Sequence, residues 1–258
     1  MTDVHIAVLL AGCTSNGMSN VYLMSLQYKA PSTSIPTLPG EVDPAIAHAV
    51  HNISRAANET TLQVRVGYMG ICVGQDEFSF ICSNHADALA RLTRAGKKTI
   101  TLANTSTEVT PDPLNLIMIA EEFRQKIVFD GLLYVTIVIS FVGFSLLASF
   151  PGWHEERNDD DSEVEVKPFP SRPVSHMASF SLSVAFMFGF VSVLWQHINS
   201  SATASMTETL TYGAVSGHVG PAAMALGWIS VGLVGVAALG LLLMIMSISL
   251  LRQLVDDE

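Results

Sequence analysis

Two of the three cysteines in this 258-residue chain lie close together, with a spacing that suits a disulfide-bonded hairpin. Nine residues separate Cys72 from Cys82, and the stretch "GYMGIC" places Gly67 and Gly70 just before the first cysteine. The stretch "TLQVRVGYMGICV" is rich in residues that favour strands, and "GQDE" supplies turn residues. A short hairpin would bring the two sulfurs within bonding range, and the two glycines would allow backbones to approach closely. The alternative is a pair of free, buried cysteines.

No catalytic constellation is visible, so we expect a protein that is not an enzyme and needs no cofactor. The eight histidines show no metal-ligand spacing with carboxylates or cysteines, and neither a phosphate loop nor a nucleophile elbow occurs. Asp76, Glu77, Glu121 and Glu122 carry charge that would attract calcium. Calcium needs about six to eight oxygens from an organised loop, so we interpret these scattered carboxylates as solvated and expect no metal site.

Composition places the chain among membrane proteins. It is 49% apolar and 14% charged, whereas an average soluble domain is about 25% charged. Long uncharged apolar runs account for the difference. The net charge of −10 gathers in acidic segments, and no basic stripe of the kind that binds nucleic acid is present.

Three apolar runs are long enough to cross a bilayer as helices, which takes about 20 residues. They are residues 131–150, 179–197 and 223–251, and none of them contains Asp, Glu, Lys or Arg. A shorter apolar run lies within residues 1–12, which we interpret as the remnant of a first transmembrane helix. A signal-peptide remnant and a bacterial lipobox ending at Cys13 are the alternatives.

The distribution of basic residues predicts the orientation of the chain. The acidic loop 151–178 contains three Arg and Lys residues, whereas the short loop 198–222 contains none. We therefore assign the loop 151–178 and the tail 252–258 to the cytoplasm. The long segment 13–130 and the loop 198–222 are then extracellular.

Four glycosylation sequons agree with this orientation. They begin at Asn52, Asn58, Asn104 and Asn199, and all four fall in segments assigned to the outside. Their one-sided distribution favours a eukaryotic secretory route. Because that location is oxidising, we predict that the two neighbouring cysteines form a disulfide. Closing such a loop contributes roughly 2–4 kcal/mol in the chain-entropy model.

These features resemble the claudin superfamily. Its members have four transmembrane helices and a first extracellular loop with the pattern G-L-W-x-x-C, followed by a second cysteine. Gly67, Cys72 and Cys82 occupy the matching positions in this chain. Tyr68 and Met69 stand where the superfamily has leucine and tryptophan.

A closer resemblance is to the fungal claudin-like family of pheromone-induced, low-affinity calcium-influx and membrane-fusion regulators. The stretches "LAGCTSNGMSNVYLMSLQY", "VGYMGICV" and "DPLNLIMIAEEFRQKIVF" look like three segments of that family, in the same order. The resemblance implies an α-helical, claudin-like four-helix bundle whose first helix looks truncated here. It also implies a small disulfide-bonded β ectodomain that carries the motif Gly67, Tyr68, Gly70, Cys72 and Cys82.

The same resemblance implies an integral plasma-membrane protein that promotes calcium influx and membrane fusion or remodelling in fungal mating or sexual development. Because the spans are uncharged, we expect a regulatory or scaffolding subunit that acts in membrane lipid with a calcium channel or the fusion machinery. The alternative is a claudin-like cell-surface adhesion or wall-sensing protein. The small residues Gly232, Gly235 and Ala238 suit packing within the bundle, with homo-oligomerisation as the alternative.

Two helices and a linker are expected outside the spans. Residues 113–129 are amphipathic and end next to a span; we expect them to pack on the ectodomain sheet, the alternative being a membrane-surface helix that binds lipid or a partner. Residues 85–96 form a second predicted helix. The acidic run 155–166 is expected to be a disordered linker.

Overall fold

The computed structural model describes residues 2–28, 62–74, 80–95, 98–102, 105–109, 112–150, 154–157, 163–166, 172–211 and 213–256. The helices in these ranges are α1 (Thr2–Leu10), α2 (Ala86–Ala95), α3 (Leu116–Lys126), α4 (Gly131–Ala148), α5 (Arg172–Leu210) and α6 (Pro221–Asp256). The strands are β1 (Met24–Tyr28), β2 (Gln63–Val66), β3 (Ile71–Gly74), β4 (Phe80–Ser83), β5 (Lys98–Leu102), β6 (Thr105–Val109), β7 (His154–Arg157), β8 (Glu163–Val166) and β9 (Val215–Val219).

Among the described residues, three helices are long and apolar enough to cross a membrane. The qualifying segments are Gly131–Ala148, Pro173–Leu210 and Pro221–Leu250, and they match the three apolar runs identified in the sequence, except that the first and third segments end before residues 150 and 251. Large apolar side chains on all three helices are more than half exposed, which is the surface that lipid would cover. Examples are Val138, Phe141, Phe180, Val236 and Leu243.

Helix α5 is longer than the apolar run that it contains. It continues to Leu210, so the first half of the loop predicted at 198–222 is helical. Pro173 lies in the first turn, where a missing N–H costs nothing, and no Gly or Pro interrupts the chain between Gly189 and Gly213. Gly213 adopts a φ of +75°, and its N–H donates to the carbonyl of Glu208 (2.8 Å), which ends the helix.

The central sheet has five antiparallel strands in the order β4-β3-β2-β1-β9. Strand β9 follows α5 and pairs with β1, so that Tyr28 lies opposite Val215 and Met24 opposite Val219. The sheet therefore joins two segments that lie far apart in the chain. Strand β9 also lies very close to α5, because a Cβ at Gly217 would come within 2.7 Å of the Ala204 backbone.

One face of this sheet carries the hydrophobic core, and α3 packs against it. Side chains alternate along each strand, so the core receives every second residue of β1, β2 and β3. The predicted helices at 85–96 and 113–129 occur as α2 and α3, and both contribute to this core. The cluster contains Met24, Leu26, Tyr28, Leu62, Val64, Val66, Ile71, Val73, Ala86, Leu89, Leu116, Ile117, Ala120, Phe123 and Val215.

Asp112 caps helix α3 and ties it to the sheet. Its carboxylate accepts hydrogen bonds from the backbone N–H groups of Leu116 (2.7 Å) and Ile117 (3.1 Å). It also accepts the hydroxyl of Tyr28 (2.8 Å), which in turn accepts the N–H of Leu114 (3.0 Å). A cap of this kind contributes about 1 kcal/mol, and here it also sets where the helix meets β1.

The chain divides into two compact units. The helical unit contains Met1–Ile6, Gly131–Ser192 and Trp228–Glu258; the sheet unit contains Ala7–Asp130 and Val193–Gly227. Within the helical unit, Gly235 lies under the ring of Phe186 and Ala238 is buried in an apolar cluster. Two of the three small residues noted in α6 thus pack inside the bundle.

The acidic run 155–166 differs from the linker that we expected. Its ends form the antiparallel pair β7 and β8, in which Glu155 lies opposite Glu165. The alternating "EVEV" sequence of β8 explains this, because β-branched residues favour strands. A second pair, β5 and β6, also forms a two-stranded sheet.

The architecture confirms the fold class predicted from the sequence. The chain is mostly helical, with long apolar helices, a small antiparallel sheet and a disulfide between Cys72 and Cys82. These are the features of a claudin-like membrane fold.

Candidate functional site

The two cysteines of the motif lie directly opposite each other on neighbouring strands. Cys72 is on β3 and Cys82 on β4, with their Cα atoms 4.0 Å apart, and a disulfide joins them. The residues at the tip of this hairpin, which include Asp76 and Glu77, lie outside the described ranges. Cys72 is fully buried, whereas Cys82 is partly exposed. The disulfide therefore joins the outermost strand of the sheet to its interior.

Gly67 and Gly70 lie at the turn between β2 and β3, and the backbone at residues 12–13 packs against them. The N–H of Gly67 donates to the carbonyl of Gly70 (2.9 Å) and closes the turn. A Cβ on Gly67 would overlap the carbonyl oxygen of Gly12, and a Cβ on Gly70 would overlap that of Cys13. The glycines of the motif thus permit a direct backbone-to-backbone contact. We call this contact the glycine seam.

Tyr68 and Met69, between the two glycines, point in different directions. Tyr68 is buried, and burial, together with the charge of Asp130, raises the pKa of its hydroxyl above the ordinary value. Met69 has an exposed side chain, and its carbonyl accepts a hydrogen bond from Arg124 (2.9 Å). The positions at which the superfamily pattern has leucine and tryptophan thus present one buried and one exposed side chain.

Arg65 is the functional candidate that sequence reasoning missed. It lies opposite Cys72 on β2, and its guanidinium stacks over the rings of Phe80 (4.0 Å) and Tyr22 (4.9 Å). It also donates to the carbonyl of Ser19 (3.1 Å) and to the side chain of Asn20 (2.8 Å). The signal in the sequence was a single arginine between two valines, Val64 and Val66, in a predicted strand.

Cys13, whose role the sequence left open, is a free cysteine and is fully buried. It packs in one apolar cluster with Cys72 and Phe80, and Tyr22 and Cys82 line the same cluster. All three cysteines of the chain therefore meet on the sheet face opposite the main core.

The carboxylates considered for calcium are not assembled into a site. Glu121 forms an ion pair with Arg124 (2.9 Å), and Glu122 pairs with Lys126 (2.5 Å). Burial disfavours the charge of Glu121, but hydrogen bonds from Arg124 and Gln125 outweigh it and hold the pKa of this carboxyl below its ordinary value. Within the described ranges, no three His, Cys, Asp or Glu side chains come together in a way that could hold a metal ion.

Arg124 connects three parts of the sheet unit. Besides Glu121, it donates to the carbonyl of Met69 at the glycine seam and to that of Asn84 after β4 (3.0 Å). Arg124 therefore connects α3 to the start of β3 and to the end of β4, at the open end of the hairpin. Charge-assisted hydrogen bonds of this kind are stronger than neutral ones. Next to it, an open groove of about 970 Å³ between α2 and α3 is lined by Leu92 and Met118.

Only one of the four sequons falls within the described residues. Asn199 lies in α5 and not in a loop, and its side-chain amide donates to the carbonyl of Trp195 (2.8 Å). The following Ser200 is fully buried. Asn52, Asn58 and Asn104 lie outside the described ranges.

The helical unit contains a carboxylate outside the three long apolar runs. Asp3 of α1 accepts a hydrogen bond from Ser140 (2.7 Å), which lies at the middle of α4 and is fully buried. Thr136, one turn earlier, is also buried. The three long helices have uncharged apolar runs, but α1 brings a carboxyl group to one of them.

Comparison with known proteins gives one family. The family model described as "Fig1: Ca2+ regulator and membrane fusion protein Fig1" matches residues 46–247, which is most of the chain. The matched range includes the β2–β3 turn, the disulfide, helices α4 and α5 and most of α6. No curated protein matches the chain significantly.

We predict that Gly70→Ala weakens the sheet unit, because its Cβ would overlap the Cys13 carbonyl and force the seam apart. Overpacking of this kind typically costs about 1–3 kcal/mol. Thermal unfolding of the purified protein should show a lower midpoint. Gly17→Ala is the matched control, since a Cβ at that position meets no atom within 4 Å. Equal midpoints for both variants would contradict the role of the seam.

A second prediction concerns pH. Because the pKa of Glu121 is lowered in the folded state, its interactions stabilise the protein above the ordinary value of 4.5 and are lost as the pH falls through the folded value. Glu121→Gln should therefore destabilise the protein at neutral pH, and the difference from wild type should shrink in acid. Glu122→Gln is the control, because its ion pair is exposed and contributes little. A pH-independent difference for Glu121→Gln would contradict this assignment.

Proposed function

The chain belongs to the family of the Ca2+ regulator and membrane fusion protein Fig1, and from this premise we propose that it promotes calcium influx and membrane fusion or remodelling during fungal mating or sexual development. We place it in the plasma membrane, as a regulatory or scaffolding subunit rather than as a complete channel. The family is one of regulators and fusion proteins and not of enzymes. The partners in this proposal are membrane lipid and a calcium channel or the fusion machinery.

The observation that carries the regulatory role is the way in which the helical unit uses its hydroxyl groups. Thr136 donates to the carbonyl of Leu132 (2.7 Å), and Ser145 donates to that of Phe141 (2.7 Å). These two hydroxyls are thus satisfied within their own helix. A cation path across hydrocarbon needs polar lining, and hydroxyl groups engaged in this way line no path.

The carboxylate of Asp3 does not provide such a lining. Asp3 is held by Ser140, and calcium would need about six to eight oxygen ligands in place of its water shell. An intramembrane carboxylate is a usual mark of an ion pathway. If this chain did conduct calcium, Asp3 would therefore be the first residue to test as part of the path.

The orientation that we propose places residues 13–130 and 198–222 outside the cell. Support comes from the ladder between Met24–Tyr28 and Val215–Val219, because strands that share backbone hydrogen bonds lie on the same side of a bilayer. Two long apolar helices, α4 and α5, separate these strands in the chain, and two crossings return it to the side it left. The disulfide favours the oxidising side.

We predict that protease added to intact cells leaves the loop 151–178 uncut, because that loop is cytoplasmic. The protein should also carry N-glycan that disappears when Asn52, Asn58 and Asn104 are all changed to Gln. Asn199→Gln is the control and should change nothing, since Asn199 lies within a helix. Cleavage of 151–178 in intact, membrane-tight cells would contradict the orientation.

We predict that the purified chain alone in liposomes passes no more calcium than protein-free liposomes. In a strain that lacks the gene, the same chain should restore calcium uptake after pheromone. Calcium flux from the chain alone would contradict the regulatory role, and a loss of that flux in Asp3→Asn would identify the path. If uptake is intact in the deletion strain and only wall-stress sensitivity appears, the protein is instead an adhesion or wall-sensing protein.

A further inference from the structure

The three cysteines of this chain form one cluster, although only two of them are bonded. Cys13 and Cys72 are both fully buried, and the sulfur of Cys72 lies 3.6 Å from the carbonyl oxygen of Cys13. Cys82, the other half of the disulfide, lies on β4 and is partly exposed. The free thiol of Cys13 thus lies beside the disulfide, and both pack in the apolar cluster that contains Phe80.

The cluster also contains a buried cation. Arg65 is 9% exposed and lies opposite Cys72, and its Nε has no hydrogen-bond partner within the described ranges. Its other contacts are aromatic rings, a carbonyl oxygen and amide side chains, and no ion pair with a described carboxylate accompanies them. Its charge acts on Cys13, where it favours the thiolate. A buried guanidinium without an anion suits a site in which sulfur becomes negative.

We propose that Cys13, Cys72 and Cys82 form a thiol–disulfide exchange site in which Arg65 is the counter-ion. Cys13 loses its proton to water, and its thiolate attacks the sulfur of Cys72. The bond between Cys72 and Cys82 breaks, a bond between Cys13 and Cys72 forms, and Cys82 leaves as a thiolate that takes up a proton. The step is an isomerisation that conserves electrons and needs no external oxidant.

The resting structure keeps this exchange slow. Burial raises the pKa of Cys13 to about 12, and the smaller opposing effect of Arg65 does not offset it. Because the thiolate is the nucleophile, exchange requires the segment around Cys13 to open and admit water. That segment is held by the glycine seam, so the seam and the exchange are coupled.

The products of the exchange differ from the resting state in a functional way. The crosslink would join the segment after α1 to β3 and would no longer join β3 to β4. Strand β4 is at the edge of the sheet, and its freed Cys82 would be accessible to thiol-reactive partners. Opening of the segment around Cys13 would then control the edge of the sheet, which goes beyond the calcium and fusion roles proposed above.

The first test uses the wild-type chain purified in detergent. It is held at mildly alkaline pH, quenched with acid, alkylated and digested without reduction, and the linked peptides are identified by mass spectrometry. We expect a Cys13–Cys72 peptide to appear with time while Cys82 becomes alkylated. Cys13→Ser should retain only the Cys72–Cys82 peptide. Persistence of Cys72–Cys82 alone in the wild type, with Cys13 alkylated only after unfolding, would overturn the proposal.

A second test traps the product. Cys82→Ser leaves Cys13 and Cys72, which should form a disulfide on exposure to oxidised glutathione. Cys72→Ser leaves Cys13 and Cys82, which should not form one. If Cys82→Ser does not fold, the wild-type experiment decides alone.

Arg65 is tested by its effect on the rate. Arg65→Gln should slow the appearance of the new peptide by about threefold for each unit by which the pKa of the attacking thiol rises, because a thiolate of higher pKa is scarcer but more nucleophilic. Arg65→Lys retains the charge and should slow it less. Equal slowing in both variants would assign Arg65 a packing role and remove it from the exchange.

Discussion

The sheet unit depends on one constraint, the contact between the backbone at residues 12–13 and the turn that contains Gly67 and Gly70. A side chain at either glycine would occupy the space of a carbonyl oxygen. Because both glycines lack one, the segment after α1 lies directly on the sheet and covers the face that carries Arg65 and Cys72. The disulfide, the stacked arginine and the buried free thiol all occupy the space that this contact encloses.

A buried charge next to a disulfide is unusual, and its surroundings explain why it is tolerated. The guanidinium of Arg65 lies between two aromatic rings and reaches one carbonyl oxygen and an amide side chain. A planar, weakly hydrated cation can be buried in this way, whereas a lysine would keep a compact charge that needs more water. The aromatic rings, Tyr22 and Phe80, come from the segment after α1 and from β4, so the arginine also holds the covering segment to the edge of the sheet.

The two units of the chain satisfy their polar groups by different means. In the helical unit, the hydroxyls of Thr136 and Ser145 donate to carbonyls of their own helix, and the hydroxyl of Ser140 donates to Asp3 of α1, which suits a region with no water to accept them. In the sheet unit, Arg124 connects α3 to the β3–β4 hairpin through two backbone carbonyls and Glu121.

The sequence by itself determined the class of the protein, its long apolar helices, the paired cysteines and the amphipathic helix at 113–129, because these depend on local composition and spacing. Only the tertiary structure decided the rest. Strand β9 pairs with β1, which lies nearly 200 residues away in the chain. Nothing in the sequence of either strand predicts that the two would pair. The position of Cys13 beside the disulfide follows from the glycine seam. This contact joins segments that are distant in the chain, so residue spacing does not predict it.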